Sequence, residues 1–183
     1  MRALPLAATA LLAALALTAC DDGAGGDTKS SSKASTGATD STDSAACAID
    51  QIGFQVGPAN AAPAAGDTGN VPVTLTNRGA KCTLKGFPGI DLYAGNVSAT
   101  VGMETSATPE KLSLAKNDTA SFTITYVRGA AGDAKSLDAK TVKISLPGAT
   151  ATQNFPWSYG PVVGKSGAGD PNASVSPFQH AGD

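Results

Sequence analysis

The residues whose chemistry is easiest to interpret are three cysteines, Cys20, Cys47 and Cys82. Cys20 follows Arg2 and an apolar run from Ala3 to Leu17, a pattern typical of a secretory signal peptide. About 20 apolar residues are needed to cross the hydrocarbon of a membrane, so this run is too short for a permanent span. The sulfur of Cys20 is a nucleophile that could carry a lipid.

The segment from Leu17 to Cys20 resembles a bacterial lipobox, in which small residues precede a cysteine. The resemblance implies that residues 1–19 are removed by cleavage after Ala19 and that Cys20 carries a diacylglycerol. Two acyl chains keep a protein on a membrane, because each buried methylene contributes about 0.8 kcal/mol. The alternative is an ordinary signal peptide cleaved after Ala19, which leaves a soluble protein with an odd thiol.

His180 is the one histidine of the chain. The tail over 179–183 is small and polar, so it is predicted to fray and to leave the imidazole without the packing that catalysis requires. Zinc binds three or four nitrogen or sulfur ligands, and the side chains of this sequence do not provide them. The sequence therefore predicts no metal and no cofactor.

Carboxylates are the remaining candidates for catalysis. Asp91, Glu104 and Glu110 could serve a hydrolase or transferase of cell-wall material if the fold gathered them in one cleft. Asp118 and Asp133 lie in turn-forming clusters, where aspartate bonds to its own backbone. We expect no enzyme, and the carboxylate hydrolase or transferase is the alternative.

Phe155, Trp157 and Tyr159 place three aromatic residues within five positions. If they are exposed, they form a platform for sugar rings or for an apolar patch of a partner. If they are buried, they close one end of the domain. The sequence leaves both interpretations open.

The segment from Asp21 to Ala45 contains no aromatic or large aliphatic residue. It cannot bury a core and is predicted to be a disordered spacer, with a reach of roughly 25–30 Å. The spacer has five aspartates and two lysines, whereas the chain from Ala46 onward has ten acidic and ten basic residues. With a formal net charge of −2 for the whole chain, composition excludes nucleic acid and favours no charged partner.

From Ala46 onward, apolar and polar residues alternate as they do in half-buried strands. The clearest example is Phe122, Ile124 and Tyr126, separated by hydroxyl residues. Similar strands are predicted around 52–56, 71–75, 90–92, 112–114 and 142–146, with 174–178 as an edge strand. Half-apolar strands must pair two sheets face to face, so residues 46–178 are predicted to form an all-β, immunoglobulin-like β-sandwich of about seven strands.

Cys47 and Cys82 are expected to form a disulfide, because cysteines of an exported protein are usually joined. Cys47 precedes the first predicted strand, and Cys82 follows the second. If these strands are antiparallel, the two cysteines lie at the same end. Closing a loop of 35 residues stabilises the fold by about 3.8 kcal/mol. Two free thiols are the alternative.

Two segments resemble an actinobacterial domain-of-unknown-function family of secreted proteins and lipoproteins. One is the strand that ends in Thr76-Asn77-Arg78-Gly79, and the other is Cys82-x-Leu84-x-Gly86-Phe87-Pro88-Gly89. The likeness covers about residues 46–178. It implies a location in the cell envelope and no established reaction.

These observations predict a lipoprotein anchored by the diacylglycerol on Cys20 at the extracellular face of the cell membrane. Its domain is expected to bind or interact rather than to catalyse. A wall polymer or another exported protein is the expected kind of partner.

Replacing the anchor residue tests the membrane prediction. Cys20→Ser removes the sulfur that carries the lipid, so the protein should be released or remain uncleaved. Fractionation of membranes after labelling with radioactive palmitate measures both outcomes. If the mutant protein partitions with lipid and is labelled as strongly as the wild type, Cys20 is not the anchor.

Overall fold

A computed structural model describes residues 44–57 and 59–181. The predicted signal peptide, Cys20 and the spacer up to residue 43 lie outside these residues. Cleavage after Ala19, the lipid on Cys20 and the disordered spacer therefore remain predictions. Within the described ranges, no helix is long and apolar enough to cross a membrane.

The described residues fold into β-strands and one 3-10 turn, which confirms the all-β prediction. The turn is Ile49–Gln51, and the strands are β1 (Ile52–Val56), β2 (Thr68–Asn77), β3 (Cys82–Lys85), β4 (Gly89–Ala94), β5 (Val97–Thr100), β6 (Gly102–Met103), β7 (Lys111–Leu114), β8 (Thr119–Val127), β9 (Ser136–Leu137), β10 (Thr141–Ser145), β11 (Thr152–Pro156), β12 (Val162–Val163), β13 (Ala173–Val175) and β14 (Gln179–His180).

Two main sheets form a β-sandwich. The larger sheet has the order β1-β2-β8-β13-β6, and β14 also pairs with β8. The smaller sheet has the order β11-β10-β4-β5. Two short pairs, β3 with β7 and β9 with β12, complete the domain.

The core lies between the inward faces of the two main sheets. Alternate residues of β2 and β8 are fully buried, and so are those of β4 and β10. The largest buried side chains include Phe122, Tyr126 and Phe178. Burying a side chain of this kind contributes about 1.5–3 kcal/mol to stability. The apolar residues of the predicted alternation therefore provide the main stabilisation of the fold.

The predicted strands at 52–56, 71–75, 90–92, 112–114, 122–126 and 142–146 are confirmed, and most extend beyond their predicted ends. Sequence patterning did not identify β3, β5 or β11. Residues 97–100 and 152–156 form edge strands, and nearly all of their side chains are exposed or half-buried. An edge strand buries little, so the periodicity that identifies central strands is absent there.

The prediction of a frayed tail from residue 179 is wrong for residues 179–181. Gln179 pairs with Ser121 and His180 pairs with Ala120, which makes β14 an antiparallel neighbour of β8. Phe178 holds the segment in place, because its ring meets Phe122 edge-on with 5.8 Å between centroids. One buried aromatic residue thus orders the polar residues that follow it.

Asn77 is the one buried polar residue that the core contains among the described residues, and its exposure is 0%. Its side-chain NH₂ donates to the carbonyls of Ala80 and Leu114 at 2.8 and 3.0 Å, and lies 3.2 Å from that of Ala115. Its side-chain oxygen accepts from the N–H of Gly79 at 2.9 Å. The amide therefore joins the turn after β2 to the turn after β7.

The disulfide between Cys47 and Cys82 is present, with 4.9 Å between the two Cα atoms. Strands β1 and β2 are antiparallel, which is the condition on which the geometry of the predicted disulfide depended, and Ile52 lies opposite Asn77 at this end of the sheet. The disulfide and the Asn77 amide thus stabilise the same end of the sandwich.

Asn77→Ala should lower the free energy of unfolding by about 3 kcal/mol, because it leaves buried carbonyls without donors. Urea unfolding measures the loss, and the exposed residue Asn154 gives a matched control. Asn154→Ala should change stability by less than about 0.5 kcal/mol. Equal effects of the two substitutions would show that the buried amide has no special role.

Candidate functional site

The spacer joins the domain at a defined point. The N–H of Thr83 donates to the carbonyl of Ala45 at 2.9 Å, and the N–H of Cys47 donates to the carbonyl of Thr83 at 3.0 Å. The Thr83 hydroxyl also donates to the carbonyl of Ser44 at 3.2 Å. Ser44 and Ala45, the first residues that the structure describes, thus lie beside β3, and we call this end of the sandwich the spacer end.

The opposite end of the sandwich is far from Ser44 and Ala45. Strand β8 begins at the spacer end, where Thr119 pairs with Thr76, and finishes at Val127, which pairs with Thr68. The eight steps between its nine residues, at about 3.4 Å each, span about 27 Å. We call the region around Thr68 and Val127 the distal end.

The aromatic cluster closes the distal end. Trp157 is only 4% exposed, and its ring meets Tyr126 and Tyr159 edge-on at centroid distances of 5.1 and 4.9 Å. The indole N–H donates to the carbonyl of Gly160 at 2.8 Å. Burial supports the closure interpretation of the cluster, because an exposed platform needs a ring that a ligand can reach.

The other two cluster members are half-buried. Phe155 lies on β11 and packs against Phe54 of β1, which joins an edge of one sheet to an edge of the other. The carbonyl of Tyr159 accepts from the Tyr126 hydroxyl at 2.9 Å. Burial, together with the nearby Tyr126, raises the pKa of Tyr159 above its ordinary value of 10.0. Phe155, Trp157 and Tyr159 therefore pack mainly against the protein itself.

The candidate carboxylates lie in different surroundings. Asp91 accepts a 2.6 Å hydrogen bond from Thr100 across β4 and β5, and Glu104 accepts one from Ser106. Glu110 lines a hollow of about 210 Å³ with His180, to which neither Asp91 nor Glu104 contributes. This hollow brings one carboxylate near the imidazole, a juxtaposition that the predicted fraying of the tail concealed. Among the described residues, no group of histidine, cysteine and carboxylate side chains could hold a metal ion.

The outer surface of the larger sheet is lined with hydroxyl groups. Outward positions alternate with the buried ones along β2, β8 and β13. We call this surface the hydroxyl face, and its polar members are Thr68, Asn70, Thr74, Thr76, Thr119, Ser121, Thr123, Thr125 and Ser174. Along β2, β8 and β13, the outward positions carry no charged side chain, and Pro72 and Val127 are their apolar members.

The two outer surfaces of the sandwich differ in charge. On the smaller sheet, Lys143 lies 4.0 Å from the ring centre of Tyr93, and Asp91 is an outward residue of β4. On the hydroxyl face, outward partners across β2 and β8 are uncharged, and two of these pairs, Thr74 with Ser121 and Thr76 with Thr119, join two hydroxyl residues. The outward positions of β2, β8 and β13 are thus uncharged, whereas the outer face of the smaller sheet also carries charged side chains.

A hollow of about 190 Å³ lies at the distal end of the hydroxyl face. Its lining includes Thr68, Thr125 and Ser174 of that face, together with Asn172 and Lys165. Threonine and serine hydroxyls both donate and accept hydrogen bonds, and asparagine does the same through its amide. The hollow thus offers several uncharged hydrogen-bonding groups in a concave setting, the usual setting of a ligand site.

The family described as Domain of unknown function (DUF4232) matches residues 47–179. The chain belongs to this family. No curated protein and no solved structure matches the chain. The DUF4232 match begins at Cys47 of the disulfide and ends in β14, so it covers both the hydroxyl face and the aromatic closure.

Trp157→Ala distinguishes closure from a ligand platform. Removing a buried indole should lower the free energy of unfolding by about 4 kcal/mol. Tyr93→Ala is the control, since Tyr93 is a half-buried aromatic residue on the outer surface of the smaller sheet. We expect less than half the effect there, measured by thermal and urea unfolding. A Trp157 variant as stable as the Tyr93 variant would contradict the closure.

Proposed function

We propose that this DUF4232 protein is a non-enzymatic lipoprotein at the extracellular face of the cell membrane, and that its hydroxyl face binds an uncharged wall polymer. The observation that carries the proposal is the division of the domain between its two ends. Ser44 and Ala45, the last residues of the spacer, bond to Thr83 of β3, whereas the hollow of the hydroxyl face lies at the far end of β8, a strand about 27 Å long.

The chemistry of the hydroxyl face suits a polysaccharide. Sugar hydroxyls need partners that donate and accept, and an uncharged surface supplies them without the cost of stripping water from ions. Threonine is stiff at its first side-chain torsion, so fixing its hydroxyl on a ligand costs little conformational entropy. Cross-strand pairs such as Thr74 with Ser121 repeat these groups along the sheet, as a polymer of repeating units requires.

The spacer and anchor complete the proposal. With the lipobox at Cys20 and a predicted reach of roughly 25–30 Å, the domain is kept within reach of the membrane. A binding domain held in this way ties wall material to the membrane, and needs no catalytic group to do so.

Removing three hydroxyls tests the proposed face. The variant Thr74→Val, Ser121→Ala, Thr123→Val keeps the shape of the surface and deletes three of its hydroxyl groups. At about 1 kcal/mol for each lost hydrogen bond, the affinity should fall about a hundredfold. Co-sedimentation with insoluble cell wall stripped of its phosphate polymers measures it.

The matched control is on the smaller sheet. Thr141→Val, Thr152→Val, Ser98→Ala removes the same types of group from outward positions of β10, β11 and β5. This control should bind the wall as the wild type does, and thermal unfolding should show both variants to be folded. Equal binding by the hydroxyl-face variant and the control would contradict the proposed site.

A further inference from the structure

The short sheet of β3 and β7 has a basic outer surface. Its inward residues, which include Leu84 and Leu112, are 2% and 3% exposed, and so fix the orientation of both strands. Lys85 and Lys111 lie directly opposite each other on the outer side. Lys81 and Lys116 flank the two strands and are exposed. We call these four lysines the basic ribbon.

The basic ribbon lies where the spacer enters the domain. Thr83 is in the middle of β3, and its backbone and hydroxyl bind the carbonyls of Ala45 and Ser44. A charged group that lies beside the point where a tether joins an anchored domain stays near the surface that holds the anchor. The ribbon is therefore the part of the sandwich that the spacer keeps closest to the membrane, given the proposed anchor on Cys20.

Carboxylates also lie beside the ribbon in the part of the chain that the structure describes, where Glu110 precedes β7 and Asp118 follows it. The Asp118 carboxylate accepts a 2.8 Å hydrogen bond from the N–H of Ala115, which holds it in the turn after β7. Lysines at opposite positions of paired strands place two ammonium groups close together, which favours binding to an anionic surface.

We propose that the basic ribbon docks on the phosphate-bearing headgroups of anionic phospholipids. The lysine ammonium groups are compact cations that attract phosphate without needing a shaped pocket. The spacer cannot provide this attraction, because it has more aspartates than lysines. Docking at the spacer end turns the distal end, with the hollow of the hydroxyl face, away from the membrane.

The test uses the full-length Cys20→Ser chain, so that its outcome does not depend on the proposed lipid. Co-sedimentation is measured with vesicles of phosphatidylcholine alone and with vesicles that also contain phosphatidylglycerol. The unchanged apolar N-terminal run contributes equally to all variants. The excess binding to the phosphatidylglycerol vesicles then reports the electrostatic contribution of the domain and should fall as salt is raised.

The ribbon variant replaces Lys81, Lys85, Lys111 and Lys116 with glutamine. The matched control, which has the same net charge, replaces Lys135, Lys140, Lys143 and Lys165 with glutamine. Each lysine near an anionic surface accounts for about a fivefold change in binding. The excess binding of the ribbon variant to phosphatidylglycerol vesicles should therefore be at least tenfold lower than that of the parent chain. The control should stay within about twofold of the parent chain.

Three outcomes would overturn the proposal. An equal loss in the control would show that net charge alone decides binding. Equal sedimentation of the parent chain with both kinds of vesicle would show that the ribbon does not recognise anionic lipid. Displacement by inorganic phosphate at constant ionic strength would show a site for single phosphate ions rather than a membrane surface. None of these results bears on wall binding by the hydroxyl face.

Discussion

The fold depends on one buried amide at the end of its longest strand. Asn77 ends β2 and has no exposed surface, yet four hydrogen-bonding contacts surround its side chain. A polar group without water must be fully satisfied, and here the satisfying groups belong to two separate turns. The turns therefore cannot move independently. The Cys47–Cys82 disulfide adds a covalent constraint beside them, so the spacer end is stabilised twice.

A fixed spacer end gives the sandwich a direction. Strand β8 pairs with β2 over nine positions, so the register set near Thr76 continues to Thr68 at the other end. There the closure comes from Trp157 and its neighbouring tyrosine rings, and the Trp157 N–H and the Tyr126 hydroxyl donate to backbone carbonyls. A buried amide and a disulfide thus stabilise the spacer end, whereas packed aromatic rings close the distal end. The surfaces left for partners are the outer faces of the sheets.

Overall charge conceals how the charges are arranged. The domain has equal numbers of acidic and basic residues, and composition alone favoured no charged partner. In the fold, outward positions of β2, β8 and β13 are uncharged, whereas Lys85 and Lys111 lie opposite each other on the sheet of β3 and β7. Strand pairing brings together side chains that are 26 positions apart in the sequence. A neutral average therefore contains both an uncharged face and a basic ribbon.

The sequence by itself determined the fold class, the six strands with strong alternation and the disulfide, because burial every second residue leaves a local pattern. It could not determine the edge strands β5 and β11, which bury little, or the order in the tail, which depends on Phe178 meeting Phe122 in space. The alternation also marked Ser121, Thr123 and Thr125 as polar, but only pairing with β2 and β13 makes them a face. Whether Trp157 was core or surface depended on Tyr126, 31 positions away, and tertiary packing alone decides a contact of that kind.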